Sequence, residues 1–218
     1  MQKYKGWYFP DKEEYFINLL KDVDGDKIKY QHLQRKNSFK YLDNNRNALD
    51  IGANVGLWSK DMCKKFDHVF LFEPYTDNIE CLKANLNEFT NYKIYECALS
   101  NEKSIENFFV DEQNIGSSSF IQMKSEIENL KLVSVQKIQL DELNLENIDY
   151  IKIDVQFHEL EVIEGSVDTL NRNNPVLCIE AARRNEKELL YVKKFVQILE
   201  NLKYKIVGSF GKELFFKK

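Results

Sequence analysis

The sequence contains few of the residues that usually mark redox, zinc or fibrous proteins. Its 218 residues include 8 glycines, 3 prolines, 3 histidines and 4 cysteines. Cys63, Cys81, Cys97 and Cys178 form no Cys-x-x-Cys pair and have no zinc-type spacing with the histidines. We therefore interpret the cysteines as buried thiols of a protein in a reducing compartment.

Excess basic charge and long apolar runs are also absent. The net charge is −4 and the isoelectric point about 5.6, which argues against a nucleic-acid partner, because contact with a phosphate backbone requires a basic face. No apolar run has the length of a membrane span, and the first residues lack the core of a signal peptide. The sequence therefore predicts a cytoplasmic, globular protein with no membrane partner.

From residue 47 onward, short apolar segments alternate with amphipathic ones. The pattern predicts strands at 48–51, 68–72, 92–97, 105–110, 132–138, 148–154, 175–180, 205–208 and 213–216, and helices at 56–66, 76–89, 158–170 and 186–201. Such alternation is typical of an α/β fold with a doubly wound, mainly parallel sheet. The last two strands form a hairpin and contribute one antiparallel strand.

The first 46 residues lack this regular alternation. We predict that residues 1–46 form an N-terminal helical extension, either a lid or a cap over a sheet edge, and that residues 47–218 form the main domain. A helix is predicted at 11–21 and a turn at 24–26.

The most informative stretch is the turn that follows the first strand of the main domain. It reads Asp50-Ile51-Gly52-Ala53-Asn54-Val55-Gly56. Gly52 and Gly56 allow the backbone to lie against a ligand, and the start of the next helix offers unpaired N–H groups. The turn lacks the full Gly-x-Gly-x-x-Gly pattern of dinucleotide sites. Asp50 would repel a pyrophosphate but would suit an amino group or another cation.

Glu73 follows the second strand, 21 residues after Gly52. A carboxylate at this point can accept hydrogen bonds from both hydroxyls of a ribose; the alternative is an ordinary surface glutamate at a strand end. Together with Asp50 and the glycine turn, Glu73 favours S-adenosylmethionine over NAD, because S-adenosylmethionine combines a ribose with an ammonium and a sulfonium.

Polar residues also follow the later strands, where a parallel sheet binds its ligands. Asp154 either faces this crevice or caps the next helix. His158 is a candidate general base for a hydroxyl group, and a polar residue at a helix start is the alternative. Asp154 and Glu180 could share a divalent cation such as Mg²⁺. The alternative partners of Glu180 are Lys152, Arg183 and Arg184, and residues 117–119 either line an acceptor site or form a plain turn.

Over residues 47–216 the sequence resembles the FkbM family of methyltransferases. The resemblance rests on Asp50 to Gly56, Phe72-Glu73-Pro74, Ala98-Leu99-Ser100, Ile151 to Gln156, Glu159 to Ile163, and Gly165. It implies a class I, Rossmann-like fold and S-adenosylmethionine as methyl donor. The residues predicted at the cofactor are Asp50, Gly52, Asn54, Gly56, Glu73, Pro74 and Ala98. Those predicted at the reaction, from their positions after the later strands, are Asp154, His158 and Glu180.

One position departs from the family pattern. Phe157 occupies the place of a glycine that usually follows the Asp-Val-Glu/Gln stretch. A bulky side chain at a turn suited to glycine is expected to alter the backbone or to fill space beside the cofactor.

The function predicted from these observations is S-adenosylmethionine-dependent O-methylation of a hydroxyl on a sugar, a glycan or a small natural product. Two alternatives stay open. The first is an N-methyltransferase acting on nucleic acid or protein, although no Asn/Asp-Pro-Pro-Tyr/Phe stretch follows a strand. The second is a non-catalytic module that binds a nucleoside.

Overall fold

A computed structural model describes residues 1–21, 30–121, 130–182 and 185–218. The predicted turn at 24–26 lies outside these ranges, as do Arg183 and Arg184. The strands are β1 (Gln2–Tyr4), β2 (Trp7–Phe9), β3 (Asn47–Ile51), β4 (His68–Phe72), β5 (Tyr92–Tyr95), β6 (Ala98–Leu99), β7 (Ser104–Asp111), β8 (Leu130–Ile138), β9 (Ile148–Ile153), β10 (Val176–Glu180), β11 (Lys205–Phe210) and β12 (Glu213–Lys217). The helices are α1 (Tyr15–Leu20), α2 (His32–Ser38), α3 (Ser59–Lys65), α4 (Thr76–Asn85), α5 (Glu159–Glu164), α6 (Val167–Asn173) and α7 (Glu186–Asn201).

Seven strands form the central sheet, in the order β11-β12-β10-β9-β3-β4-β5. The neighbours from β10 to β5 pair in parallel, whereas β12 runs antiparallel to both β10 and β11. The predicted α/β class is therefore confirmed, including the single antiparallel strand from the C-terminal hairpin.

Helices cover both faces of this sheet, which explains why the strands at its centre are mostly apolar and buried. Leu49 and Ile51 of β3 belong to the core beneath α5, α6 and α7, whereas Ala48 belongs to the core beneath α3 and α4. All five residues of β10 are buried. Because ligand-binding side chains lie where such strands end, this double covering confines the candidate site to one edge of the sheet.

The predicted helix at 158–170 is instead two helices, α5 and α6, separated at Gly165 and Ser166. A Cβ atom on Gly165 would lie 1.9 Å from the carbonyl oxygen of Ser100, so only glycine allows this approach of the two backbones. This contact is between segments distant in sequence, and helical periodicity cannot reveal it.

The N-terminal segment begins with a hairpin of β1 and β2, which the predicted helical extension does not include. Its helix α1 is shorter than the predicted 11–21. Glu13 fixes this segment to the main domain: its carboxylate accepts hydrogen bonds from the N–H groups of Phe16, at 2.7 Å, and Ile115, at 2.9 Å.

A smaller sheet, in the order β6-β8-β7, stands beside the central one and contains the predicted antiparallel pair. Among the described residues, no helix has both the length and the apolarity needed to cross a membrane.

Candidate active site

A cavity of about 1020 Å³ opens at the carboxyl ends of β3, β4, β9 and β10. This volume is at the upper end of the usual range for small-molecule sites, about 300 to 1,000 Å³. Nine predicted site residues line the cavity: Asp50, Gly52, Asn54, Glu73, Pro74, Ala98, Asp154, His158 and Glu180. The sheet therefore brings residues predicted at the cofactor and residues predicted at the reaction into one cavity.

The glycine turn is held tightly between β4 and β9. Gly52 has a φ of +81°, and a Cβ atom there would lie 2.0 Å from the carbonyl oxygen of Asp154. The N–H groups of Gly52 and Ala53 both donate to the carbonyl oxygen of Phe72 at 3.0 Å. Glycine is therefore required at position 52 by the backbone of β9 as well as by the turn itself.

Gly56, which was predicted at the cofactor, is not among the residues that line the cavity. Its φ is +94°, and a Cβ atom there would lie 2.8 Å from Cδ1 of Leu82. The left-handed φ of Gly56 is therefore what favours glycine at the second position of the turn, because the end of the Leu82 side chain can move.

Glu73 lies directly against the glycine turn. One carboxylate oxygen accepts a hydrogen bond from the N–H of Asn54 at 2.8 Å. The other accepts from the N–H of Tyr75 at 3.1 Å and from Nδ2 of Asn78 at 3.2 Å. Burial raises the pKa of Glu73 to about 7, although these hydrogen bonds act in the opposite direction. A carboxylate offers about four acceptor positions, so Glu73 in this conformation has one left for a ligand hydroxyl, fewer than the expected pair.

Asp50 is buried at the end of β3. Its Oδ2 accepts a hydrogen bond from Oγ of Ser59 at 2.6 Å, and Lys152 is its neighbour in register on β9. Burial raises the pKa of Asp50 to about 6, whereas the charge of Lys152 acts to lower it. A further cation beside this carboxyl group would lower its pKa and favour the ionised form.

Lys152 is a member of the site that the sequence analysis considered only as a partner of Glu180. Its side chain is 2% exposed, its Nζ lies 2.9 Å from Oδ2 of Asp154, and the ring centroid of Trp58 lies 4.9 Å away. Burial favours the neutral amine, but Asp154 outweighs this effect and the pKa of Lys152 is raised. A lysine within the apolar strand 148–153 is the sequence signal that could have revealed it.

Asp154 and Glu180 are joined through a single amide group. Nε2 of Gln156 donates to Oδ1 of Asp154 and to Oε2 of Glu180, each at 2.8 Å. Burial, together with the nearby Asp154, raises the pKa of Glu180 to about 8. Burial also acts to raise the pKa of Asp154, but Lys152 and the hydrogen bonds outweigh it and leave this pKa lowered.

The predicted divalent cation finds no support in this arrangement. The described residues include no group of three or more His, Cys, Asp or Glu side chains that could hold a metal ion. Gln156 lies between the two carboxylates, Lys152 neutralises Asp154, and Nζ of Lys212 lies 3.2 Å from Oε1 of Glu180. The two carboxylates therefore already have amide and ammonium partners.

His158 is 7% exposed and belongs to a buried polar contact at the margin of the cavity. Its Nε2 lies 3.1 Å from Oγ of Ser100, and its ring centroid lies 4.7 Å from that of Phe120. Burial and the charge of Lys137 lower the pKa of His158 to about 4, so the ring is neutral at pH 7.

Phe157 keeps the backbone conformation that suits the family's glycine. Its φ is +68°, and that of Gln156 is +53°. Left-handed conformations of residues other than glycine carry strain and are concentrated at functional sites. The ring of Phe157 lines the cavity, and its centroid lies 5.8 Å from that of Tyr191. The substitution thus adds an aromatic wall to the site.

The segment 115–119 connects the glycine turn with the turn that carries Gln156. Nδ2 of Asn54 donates to the carbonyl oxygen of Ile115 at 3.3 Å, and Oγ of Ser119 donates to the carbonyl oxygen of Gln156 at 2.6 Å. Ser117 also lines the cavity. This segment crosses the cavity wall and fixes both turns relative to each other.

Comparison with known proteins identifies the family. A family model described as the Methyltransferase FkbM domain matches residues 50–206. No curated protein matches the sequence. Among solved structures, Methyltransferase FkbM from Methylobacillus flagellatus is similar, with a TM-score of 0.52 and 15% identity. The match covers 80% of this chain and 44% of that one, so the chain spans less than half the length of the Methylobacillus protein.

A methyltransferase from Streptococcus mutans in complex with SAH is similar as well, with a TM-score of 0.51 and 12% identity. That match covers 87% of this chain and 96% of the other. Identities this low show a shared fold alone, and both structures have the class I methyltransferase fold. Because the family model covers most of the sequence and the sheet has the matching architecture, the chain belongs to the FkbM family of S-adenosylmethionine-dependent methyltransferases.

Proposed function

We propose that this methyltransferase transfers the methyl group to a hydroxyl oxygen of a sugar, a glycan or a small natural product. The observation that supports the proposal is the group formed by Asp154, Gln156 and Glu180. It lies in the same cavity as the glycine turn and Glu73. A hydroxyl is a weak nucleophile and gains from a carboxylate that accepts its proton.

The residues around the glycine turn fit S-adenosylmethionine. Glu73 retains one acceptor position for a ribose hydroxyl, and Asp50 gains a partner when an ammonium lies beside it. When bound, the cofactor supplies a methyl group on a positively charged sulfur, which leaves as a neutral thioether. The cavity has room for both the cofactor and an acceptor.

Asp154 is the proposed proton acceptor. Its lowered pKa keeps it ionised at neutral pH, and Lys152 and Gln156 hold its carboxylate in one orientation. A positioned carboxylate of this kind removes the hydroxyl proton as the new bond to carbon forms, and alignment of donor and acceptor supplies the remaining rate enhancement.

His158 is the second candidate for the base. It is neutral at pH 7 and lines the cavity, which favours the role. Its Nε2 already contacts Oγ of Ser100 at 3.1 Å, so this nitrogen is engaged within the protein. We therefore propose that His158 positions the turn after β9, and that Asp154 takes the proton.

The acidic character of the cavity disfavours acceptors rich in phosphate. Among the described residues, the carboxyl groups that line it are Asp50, Glu73, Asp154, Glu159, Glu180, Glu188 and Glu213, and the lysines are Lys152, Lys187 and Lys212. Such a lining repels a nucleic-acid backbone. A non-catalytic nucleoside-binding module is the second candidate function, because Phe157 replaces the glycine of the family pattern.

The proposal is tested by supplying S-adenosylmethionine with a ¹³C-labelled methyl group together with pools of glycans and small polyols. An O-methyl carbon signal in the products, absent with the Asp154→Asn variant, is expected. Labelled N-methyl products would overturn O-methylation in favour of the nitrogen alternative. Binding of S-adenosylhomocysteine without any labelled product would favour the non-catalytic module.

A further inference from the structure

Glu213 is a buried carboxyl group to which the methyl transfer described above gives no role. It begins β12, is 1% exposed and lines the cavity. Neither of its carboxylate oxygens has a hydrogen-bond partner among the residues that the structure describes. A buried carboxyl group without a hydrogen-bond partner lowers the stability of the fold. We therefore infer that Glu213 binds a ligand group in the cavity.

Glu213 stands opposite Glu180. The two are partners in register on the antiparallel strands β12 and β10. Directly opposed residues of antiparallel strands place their side chains on the same face, with Cβ atoms about 4.5 to 5.5 Å apart. The two carboxyl groups therefore form one wall of the cavity, and Gly211 borders it, since a Cβ atom there would lie 3.3 Å from Oε2 of Glu213.

Within the part of the chain that the structure describes, Glu213 has no cation as a partner, whereas Asp154 and Glu180 each have one. Lys152 pairs with Asp154 at 2.9 Å, and Lys212 pairs with Glu180 at 3.2 Å. No ion pair within the described ranges involves Glu213. Charge complementarity thus favours a ligand that brings a single positive charge.

This wall is separate from the cofactor side of the cavity. β12 is three strands away from β3, which carries Asp50 and leads into the glycine turn. With neighbouring strands about 4.8 Å apart, the separation is about 14 Å. A cation beside Glu213 would therefore belong to the methyl acceptor and not to the amino-acid part of the cofactor.

We propose that Glu213 and Glu180 form a subsite for an ammonium group of the acceptor, so that the substrate class is an amine-bearing sugar or small molecule. The inference rests on the proposed function and narrows it. An ammonium provides three N–H donors for the carboxylate oxygens and compensates the unpaired charge. A neutral hydroxyl would supply one donor and no charge. Burial raises the pKa of Glu213, and a cation beside it favours the ionised form.

The test is isothermal titration calorimetry of protein saturated with S-adenosylhomocysteine, with D-glucosamine, D-glucose and N-acetyl-D-glucosamine as ligands. Glucosamine carries the ammonium, whereas the other two keep the ring without the charge. We expect glucosamine to bind at least about tenfold more tightly than either. Glu213→Gln, which keeps the shape and removes the charge, is expected to abolish this preference.

Glu146→Gln is the matched control, because Glu146 is exposed and its side chain has no contact with the cavity. It is expected to retain the preference for glucosamine. Thermal unfolding of Glu213→Gln without ligand checks that the variant folds; an unchanged or higher midpoint is expected, because a buried unpaired charge has been removed.

Equal binding of glucosamine and glucose, an undiminished preference in Glu213→Gln, or no binding of the amine would each overturn the ammonium subsite. The titration of S-adenosylhomocysteine in the same samples is a separate readout. If that titration gives no heat, the proposed function fails; if it succeeds and the amine preference is absent, only the subsite fails.

Discussion

The carboxylate of Glu73 and the backbone N–H of Asn54 are joined by a hydrogen bond of 2.8 Å. This bond fixes the end of β4 against the turn that follows β3. The protein's own hydrogen bond thereby fixes these two elements of the proposed cofactor site relative to each other. A site organised in advance loses less conformational freedom when the ligand binds.

The raised pKa values of the buried glutamates predict that stability without ligand falls as the pH rises from 6.5 to 8. The pKa of Glu73 is raised from 4.5 to about 7 and that of Glu180 to about 8, so in this range the folded protein holds more protons than the unfolded chain. Thermal unfolding midpoints of the wild type at the two pH values measure the effect. His158, with its lowered pKa, acts in the opposite direction mainly below 6.5.

Glu73→Gln and Glu180→Gln are each expected to reduce this decline, because each removes one group that binds a proton only in the folded state. Glu146→Gln, which changes an exposed side chain, is expected to leave it unchanged. A wild-type midpoint that rises between pH 6.5 and 8 would show that these carboxyl groups are ionised in the folded protein.

The left-handed backbone of Phe157 predicts that replacement by glycine and replacement by alanine give different free energies of unfolding. Phe157→Gly and Phe157→Ala both remove the ring that contacts Tyr191, but only glycine adopts a φ of +68° without strain. We expect Phe157→Gly to be more stable than Phe157→Ala by about 1 kcal/mol. Urea denaturation of both variants gives the two free energies of unfolding. Equal values would mean that the turn relaxes to another conformation.

The assignment of the proton acceptor predicts unequal losses of turnover. Asp154→Asn is expected to lower kcat by about a hundredfold or more while S-adenosylhomocysteine still binds. His158→Ala is expected to stay within about tenfold of the wild type, because His158 acts through the turn and not on the acceptor. Initial rates at saturating cofactor measure both. The opposite ranking would make His158 the base.

Much of the fold follows from local patterns in the sequence. The strands at the centre of the sheet are mostly apolar, and the helices between them have one apolar face, so the alternation is visible without a structure. The convergence of Glu73 with the glycine turn is equally predictable, because adjacent parallel strands end at the same edge.

Other features depend on contacts that no local pattern encodes. Glycine at position 165 is required by the carbonyl oxygen of Ser100, which would lie 1.9 Å from a Cβ atom there. The strands β1 and β2 have three residues each, too few to show alternation. The unpaired state of Glu213 appears only when all its neighbours are known, because it depends on the register of β12 against β10.

Calorimetric titration of S-adenosylhomocysteine into the wild type and Glu73→Ala tests the central claim most directly. The account predicts saturable binding by the wild type and binding at least about tenfold weaker, a loss of about 1.4 kcal/mol, by Glu73→Ala. Thermal unfolding of the variant without ligand serves as the check on folding. The absence of binding to the wild type, or equal affinity in a folded Glu73→Ala variant, would contradict the assignment of the cofactor to the glycine turn and Glu73.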